Sequence, residues 1–476
     1  MGGDGLCFEI LYLSYKHLPV HLKPCFLYMA TYPEDSKMRI SELVKLWVAE
    51  GILKPMRSRS LEEIAEDNLK DLIDRNLIMI HSYWFSNKMR TCTIHDLLRD
   101  LSIREALKEN FLGVTMKHSL EKRSRIIDDN KRRLITQRSS EEERIKSSFA
   151  KLHILRKVLK MGYVCSDEEI VRLFNFRYID FRLTMFKNML NTLESVSLLW
   201  NLQTVTIAGA WSFKQPTINL PAEIWEMPQL RHIKRDVGVF HLPDPPSTNI
   251  KNGRRDVMIL KNLQTLRNIR NFGCTDEVVH RIPNLKKLGI TYKRFRNGFG
   301  WDHYEVYNLA RLRNLETLSL ESSEKNVLQN VCLPPWLKKL CLRKCGLCWE
   351  DLTAVGSLPR LQVLKLMYGS VKGREWNPVE GQFLELKCLR FDGTDLVEWT
   401  ADSSHFPRLE NLQLRFLDYL KEIPCDIGEI PTLRSISVIL CNESVNSSAR
   451  KIQEDQQNLG NSDLRVRWND RDDAMV

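Results

Sequence analysis

The chain has 476 residues, 43% of them apolar and 28% charged, with a formal net charge of +11. That length supplies core for more than one domain, and the composition is that of a globular protein rather than a disordered or collagen-like one. No apolar run reaches the roughly 20 residues a spanning helix needs, no signal-peptide core follows the start, and the twelve cysteines are scattered; the pattern excludes a disulfide framework and points to reduced thiols inside a cell.

The first 112 residues read as helices closed by a hairpin. "SELVKLWVAEGI" predicts a helix with Ser41 as N-cap, apolar Leu43, Val44, Leu46 and Trp47, and Gly51 as its stop. "LEEIAEDNLKDLIDRNL" places Leu61, Ile64, Ala65, Asn68, Leu69, Leu72 and Ile73 on one face of an amphipathic helix. "LIMIHSYWFSNKMRTCTI" then reads as two strands joined around Ser86 to Lys88. Helices followed by a hairpin make a winged-helix domain over residues 1–112. Many such domains bind DNA, but here the recognition helix, Glu42 to Glu50, carries only Lys45 as a base. Phosphate and base-edge contacts need Arg, Lys, Asn or Gln in number, so no nucleic-acid partner is expected.

"TCTIHDLLRDL", Thr91 to Leu101, runs a β-branched segment into a helical pattern. Asp96 is predicted to cap that helix. His95 beside it is open to three readings: a catalytic base, a metal ligand or something else. No nucleophile or orienting partner accompanies it in the sequence, so no catalytic residue is assigned and the protein is not expected to be an enzyme. Residues 113–150 read as a basic linker. From Lys117 to Lys157 there are 13 Lys and Arg against 6 Asp and Glu, which suits a solvated segment or an acidic partner.

Residues 151–476 are repetitive. "NLQTVTI", "QLRHI", "NLQTL", "NLKKLGI", "NLETLSL", "WLKKLCL", "RLQVLKL", "ELKCLRF", "RLENLQL" and "TLRSISV" all follow L-x-x-L-x-L. Their leading leucines are Leu202, Leu230, Leu263, Leu285, Leu315, Leu337, Leu361, Leu386, Leu409 and Leu433, with gaps from Leu285 onward of 30, 22, 24, 25, 23 and 24 residues. That is the leucine-rich-repeat period: each unit has one short strand whose leucines only stacked neighbours can bury. "KLHILRKVL" around Leu155 and "NFRYIDF" around Phe176 read as two degenerate units in front, and "SSARKIQEDQQNLGNSDLRVRW" as a polar C-terminal cap. The fold class is therefore α/β, a helical winged-helix domain with a small hairpin followed by a leucine-rich-repeat solenoid.

The non-leucine strand positions face outward on the concave side and include Lys287, Lys339, Arg343, Lys365, Arg390 and Arg415, a basic stripe suited to an acidic surface. Two aromatic insertions, "RFRNGFGWDHYEVY" and "YGSVKGREWNPVEG", offer Trp301, Tyr304 and Trp376 as partner contacts. "CLRKCGLC" sets Cys341, Cys345 and Cys348 at metal-like spacing, but Cys341 occupies a repeat strand and no fourth ligand follows, so no metal is expected. Cys25, in an apolar helix, reads as a small buried hydrophobe.

Together "LSYKHLPVHLKPCFLYMATYPED", "LVKLWVAEGIL", "AEDNLKDLIDRNLI", "IHDLLRDL" and the repeats resemble plant disease-resistance proteins of the nucleotide-binding, leucine-rich-repeat class. The resemblance runs from about Leu13 to the C-terminus and is nearest the coiled-coil type of nightshades, the late blight resistance group. It implies that Ile94-His95-Asp96 corresponds to the family's Met-His-Asp switch motif, whose histidine reaches the β-phosphate of ADP, with Ile94 in place of methionine. The family's coiled coil and its G-x-x-x-x-G-K-[ST] phosphate loop are absent from this sequence. ADP or ATP is thus implied for intact relatives and not expected on this chain alone; a shortened gene model, a fragment and a short paralogue are all open. The implied function is an innate immune receptor, whose repeats recognise a pathogen effector, a guarded host protein or the receptor's own nucleotide-binding core. The implied output is a defence response with hypersensitive cell death, the location is cytoplasmic or peripheral to the plasma membrane, and oligomers form only from intact receptors. The alternative is a leucine-rich-repeat substrate adaptor of a ubiquitin ligase, since "HLPVHLK" loosely resembles an F-box start.

Overall fold

A computed structural model describes residues 3–57, 59–83, 88–109, 111, 113–115, 134–136, 158–161, 176–183, 199–209, 218–246, 250–251, 254–255, 257–293, 304–322, 331–461 and 463–469. Contacts divide the chain into two units, Met1–Val205 and Thr206–Val476.

The first unit opens with α1 (Gly3–Lys16) and α2 (Lys23–Tyr28), whose Pro24 sits in the first turn, where no N–H is needed. The short β1 (Met38–Arg39) leads into α3 (Ile40–Glu50), then α4 (Leu61–Asp74), the hairpin strands β2 (Met79–Tyr83) and β3 (Met89–Thr93), and α5 (Asp96–Lys108). The strands pair antiparallel in the order β1, β3, β2, which is the wing. α4 begins with a capping box: Glu63 N donates to Ser60 Oγ at 3.3 Å while Ser60 N donates to Glu63 Oε2 at 3.0 Å. α3 ends at Gly51 in the left-handed region, φ 66°, as the glycine stop predicts. Its start is different from the expectation. Arg39, not Ser41, is the N-cap, because β1 delivers the chain directly into the first turn and no side chain caps it.

Leu43, Val44, Leu46, Trp47 and Val48 of α3 are buried together with Cys25, Phe26, Leu69, Leu72 and Leu101, so the helix at the recognition position is the centre of a core. The same unit holds β4 (Val158–Met161) and β5 (Tyr178–Leu183), which pair in parallel, and Tyr178 joins the winged-helix core. The expected linker contains a short parallel pair, Gly113–Thr115 with Leu134–Thr136. The remaining linker residues and Leu155 lie outside the described residues.

Next come β6 (Thr204–Gly209), at the unit boundary, β7 (His232–Arg235), β8 (Thr265–Arg270), β9 (Lys287–Tyr292), β10 (Thr317–Ser322), β11 (Lys339–Arg343), β12 (Val363–Met367), β13 (Cys388–Asp392), β14 (Asn411–Arg415), β15 (Ser435–Ile439) and β16 (Arg465–Asn469). From β7 to β16 they pair in parallel and in chain order. Each of the ten strands β6 to β15 starts two residues after its leading leucine, and all ten leucines are at most 4% exposed. The C-terminal segment is more than a polar cap. Glu443–Asn458 is a helix capped by Asn442, and β16 adds a further strand in register, Ser435 opposite Arg465.

Candidate functional site

His95 stands where the wing's last strand gives way to α5. Ile94 before it is 7% exposed and packs in the core, while His95 and Asp96 are exposed. The structure makes His95, not Asp96, the N-cap: Leu97 N donates to His95 Nδ1 at 3.3 Å, and Asp96 is the first helical residue. The break in β3 fixes that register, and an aspartate inside the first turn still favours the helix dipole. Because Nδ1 accepts, a neutral His95 carries its proton on Nε2. The side chain is thereby held by one nitrogen and presents a donor with the other.

Outward-facing residues of the repeat strands form rows by register. Lys287, Thr317 and Lys339 share one row; Cys341, Lys365, Arg390 and Gln413 the second; Arg343, Met367, Asp392 and Arg415 the third. From β9 to β16 the first two rows contain no carboxylate. Burial, then the charges of Lys365 and Arg267, push the Lys339 ammonium down to about 8. Lys365 is likewise lowered, by burial first and then by Arg390. Neither lysine has a hydrogen-bond or ion-pair partner among the described residues. Asp392 is fully buried and holds both Arg390 and Arg415, the latter at 3.7 Å. Arg343 lies over the Tyr368 ring, 5.1 Å from its centroid.

The winged-helix region, residues 31–102, matches the family described as the disease resistance protein winged helix domain. Over 93% of the chain the sequence is 32% identical to a late blight resistance protein homolog and 31% identical to the late blight resistance protein R1-A, both of Solanum demissum. Nearly the whole chain is thus similar to disease-resistance proteins. It spans 36% of the length of each of these relatives. Among solved structures, an internalin of Listeria monocytogenes aligns with 68% of this chain and 88% of its own, at TM-score 0.36 and 14% identity. The Toll–Spatzle complex of Drosophila aligns with 68% of this chain and 38% of its own, at TM-score 0.32 and 16% identity.

In this chain the six basic residues expected on the repeats all lie on the outward rows, but the aromatic contacts do not. Trp376 is 3% exposed, stacked between Trp349 at 5.0 Å and Trp399 at 5.9 Å, so it belongs to the interior. Its insertion forms a second short ladder in which Glu375–Trp376 pairs with Glu398–Trp399. Tyr304 is 8% exposed and packs on Tyr292 at 4.9 Å. Both are corrections with one cause: repeat stacking buries any large ring on the inner side. Trp301 lies outside the described residues. Cys341 faces outward, Cys345 is buried and pushed up to about 12, and Cys348 is exposed. Among the described residues no three His, Cys, Asp or Glu side chains converge on a metal site. Burial likewise pushes Cys25 up to about 12, as suits a small buried hydrophobe.

Sequence reasoning overlooked two features of the face. Asp392 was not singled out, although "RFD" after "KCL" places a carboxylate among basic neighbours. Directly after strands β11 to β15, Lys344, Tyr368, Gly393, Phe416 and Leu440 all take left-handed φ, between 48° and 63°. The turn lets an amide reach the next repeat, as Phe416 N does to Ile439 O at 3.1 Å. Only one of the five is glycine, so propensity gave no signal.

Proposed function

We propose that this chain carries the switching and sensing parts of a plant innate immune receptor, with hypersensitive cell death as the output of the intact protein. The observation that carries the reading is the exposed His95, whose Nδ1 accepts from Leu97 N at the start of α5 and so leaves Nε2 as the donor. Such a donor suits one phosphate oxygen of a nucleoside diphosphate. Bound ADP would supply the ligand that favours the resting arrangement. Of the three residues of this motif, His95 offers one such contact to it. One such hydrogen bond is worth about 1–3 kcal/mol, against roughly 8 kcal/mol for micromolar binding.

The repeats supply the recognition surface, for an effector, a guarded host protein or the receptor's own nucleotide-binding core. Its ligand would bias a two-state switch only by its differential affinity for the two states. In the segment read as an F-box start, Leu18 and Leu22 lie in the winged-helix core, which supports the receptor reading. No described helix is long and apolar enough to cross a membrane.

The test is a receptor in which this chain is joined to a relative's nucleotide-binding core. His95→Asp in that protein should weaken ADP retention and give partial cell death without a partner, because an aspartate repels the phosphate that histidine binds. Unchanged ADP retention together with a silent response at equal expression would overturn the reading.

A further inference from the structure

The face of the repeats carries cations in a diagonal, not a cluster. Lys287 and Lys339 lie in the first row on β9 and β11, Lys365 and Arg390 in the second on β12 and β13, and Arg415 in the third on β14. Neighbouring strands are about 4.8 Å apart, so six strands carry this line over roughly 24 Å. An extended segment of about seven residues covers the same distance at about 3.3 Å per residue.

Two independent observations give the line a direction toward anions. Lys339 and Lys365 are half-buried beside Arg267 and Arg390, and from β9 to β16 no carboxylate shares their rows. Arg390 and Arg415 are anchored from beneath by the buried Asp392, yet their side chains remain 15% and 28% exposed and each leaves its Nε without a partner. A buried carboxylate that holds two guanidinium groups fixes their orientation before any ligand arrives, which lowers the ordering cost of binding. A line of cations about 24 Å long suits a ligand that spreads its negative charge along an extended chain, as a peptide with acidic side chains does. Two cavities, of about 450 and 330 Å³, are lined by other residues, among them Asp244 and Glu305 in one and Cys348 and Glu375 in the other.

We propose that the outward face from β9 to β14 binds an extended acidic peptide segment of a protein partner, laid diagonally across the strands with its carboxylates on Lys339, Lys365, Arg390 and Arg415. The inference deepens the reading of the repeats as a recognition surface and rests on it. It names the chemistry of the partner and the strands that hold it.

The probe is a fluorescent oligo-glutamate peptide of about eight residues, titrated against the full chain, with oligo-glutamine as the neutral control. The glutamate peptide should bind, the glutamine peptide should not, and affinity should fall at least about tenfold between roughly 50 and 250 mM salt. Lys339→Gln with Lys365→Gln should weaken binding by at least about tenfold without lowering the unfolding midpoint, since neither lysine has a partner to lose. Lys54→Gln with Lys70→Gln, exposed on the first unit, removes the same charge elsewhere and should leave binding within about twofold. Absence of binding, or equal weakening by both pairs, would sink the proposal; so would tripolyphosphate displacing the peptide at matching concentration through the same lysines. Should the peptide fail while His95→Asp still triggers the joined receptor, only this inference falls and the receptor reading stands.

Discussion

In the winged-helix domain, Arg99 donates through Nε to Tyr32 O at 2.8 Å and pairs with Glu34, and the buried Ser102 hydroxyl reaches Phe26 O at 3.0 Å. On the outward face of the repeats, Lys339 and Lys365 crowd one another, and Asp392, Arg390, Arg415 and Gln413 each leave a buried polar atom unmatched. Trp47 Nε1 is the winged helix's one such atom among the described residues. Buried polar groups in a structural core are matched because a missing partner costs about 1–3 kcal/mol. A region that tolerates several unmatched groups and like charges gives up stability that its fold does not require it to give up. The difference separates a domain whose buried polar atoms are nearly all matched within it from a face where several are not.

Removing Asp392 should break the face most severely. Asp392→Ala leaves Arg390 and Arg415 half-buried with no counter-ion, and loss of one partner from a buried pair costs about 3 kcal/mol or more. Urea unfolding should show a lower midpoint for the second unit, and the variant should also lose the oligo-glutamate peptide. A stability change below about 0.5 kcal/mol would mean that Asp392 is not what fixes the two guanidinium groups. The matching change in the winged helix is milder. Ser102→Ala removes a donor shared by Phe26 O and Leu27 O, whose distances are 3.0 and 3.3 Å. It should cost about 1–2 kcal/mol with no effect on peptide binding. A loss of peptide binding in Ser102→Ala would blur the contrast between the two regions.

How far the sequence discloses this depends on whether the cause of a feature is local. The leucine period placed ten strand starts, since burial of alternating residues is written in the chain itself, and Gly51 marked the end of α3 because no other residue takes that turn so easily. The capping box of Ser60 and Glu63 was also present as S-x-x-E and was overlooked. The two misplaced caps have tertiary causes: β1 feeds α3 directly, and the end of β3 puts His95 one position ahead of the better-capping Asp96. Trp376 looked like a contact because its insertion hides the repeat period; only the recurrence of Glu-Trp at Glu375–Trp376 and Glu398–Trp399 hinted at an inner ladder. Lys287 and Lys339 are alike in sequence, yet one is exposed and the other half-buried. That distinction comes from neighbours on other repeats.

The smallest effect expected has the opposite sign. Lys339 is faced by Lys365 from β12, Arg267 from β8, and the thiols of Cys341 and Cys388 from β11 and β13; burial first, and then the two cations, push its ammonium down to about 8. An unfolded lysine titrates near about 10.4. Below pH 8 both states hold the proton, so the cost of keeping the charge there is fully present. Between about 8 and 10.4 the unfolded state binds more protons than the native one, and stability rises with pH. Lys339→Gln removes the charge at every pH. It should stabilise the chain by about 1 kcal/mol at pH 7, a modest figure because the ammonium keeps part of its hydration. The gap between variant and wild type should then close as pH rises from 8 to about 10.4, which urea unfolding of both proteins at pH 7 and near pH 10 measures. A variant less stable than wild type at pH 7, or a gap that ignores pH, would show that the charge is already balanced within the fold and is not held in reserve for a ligand.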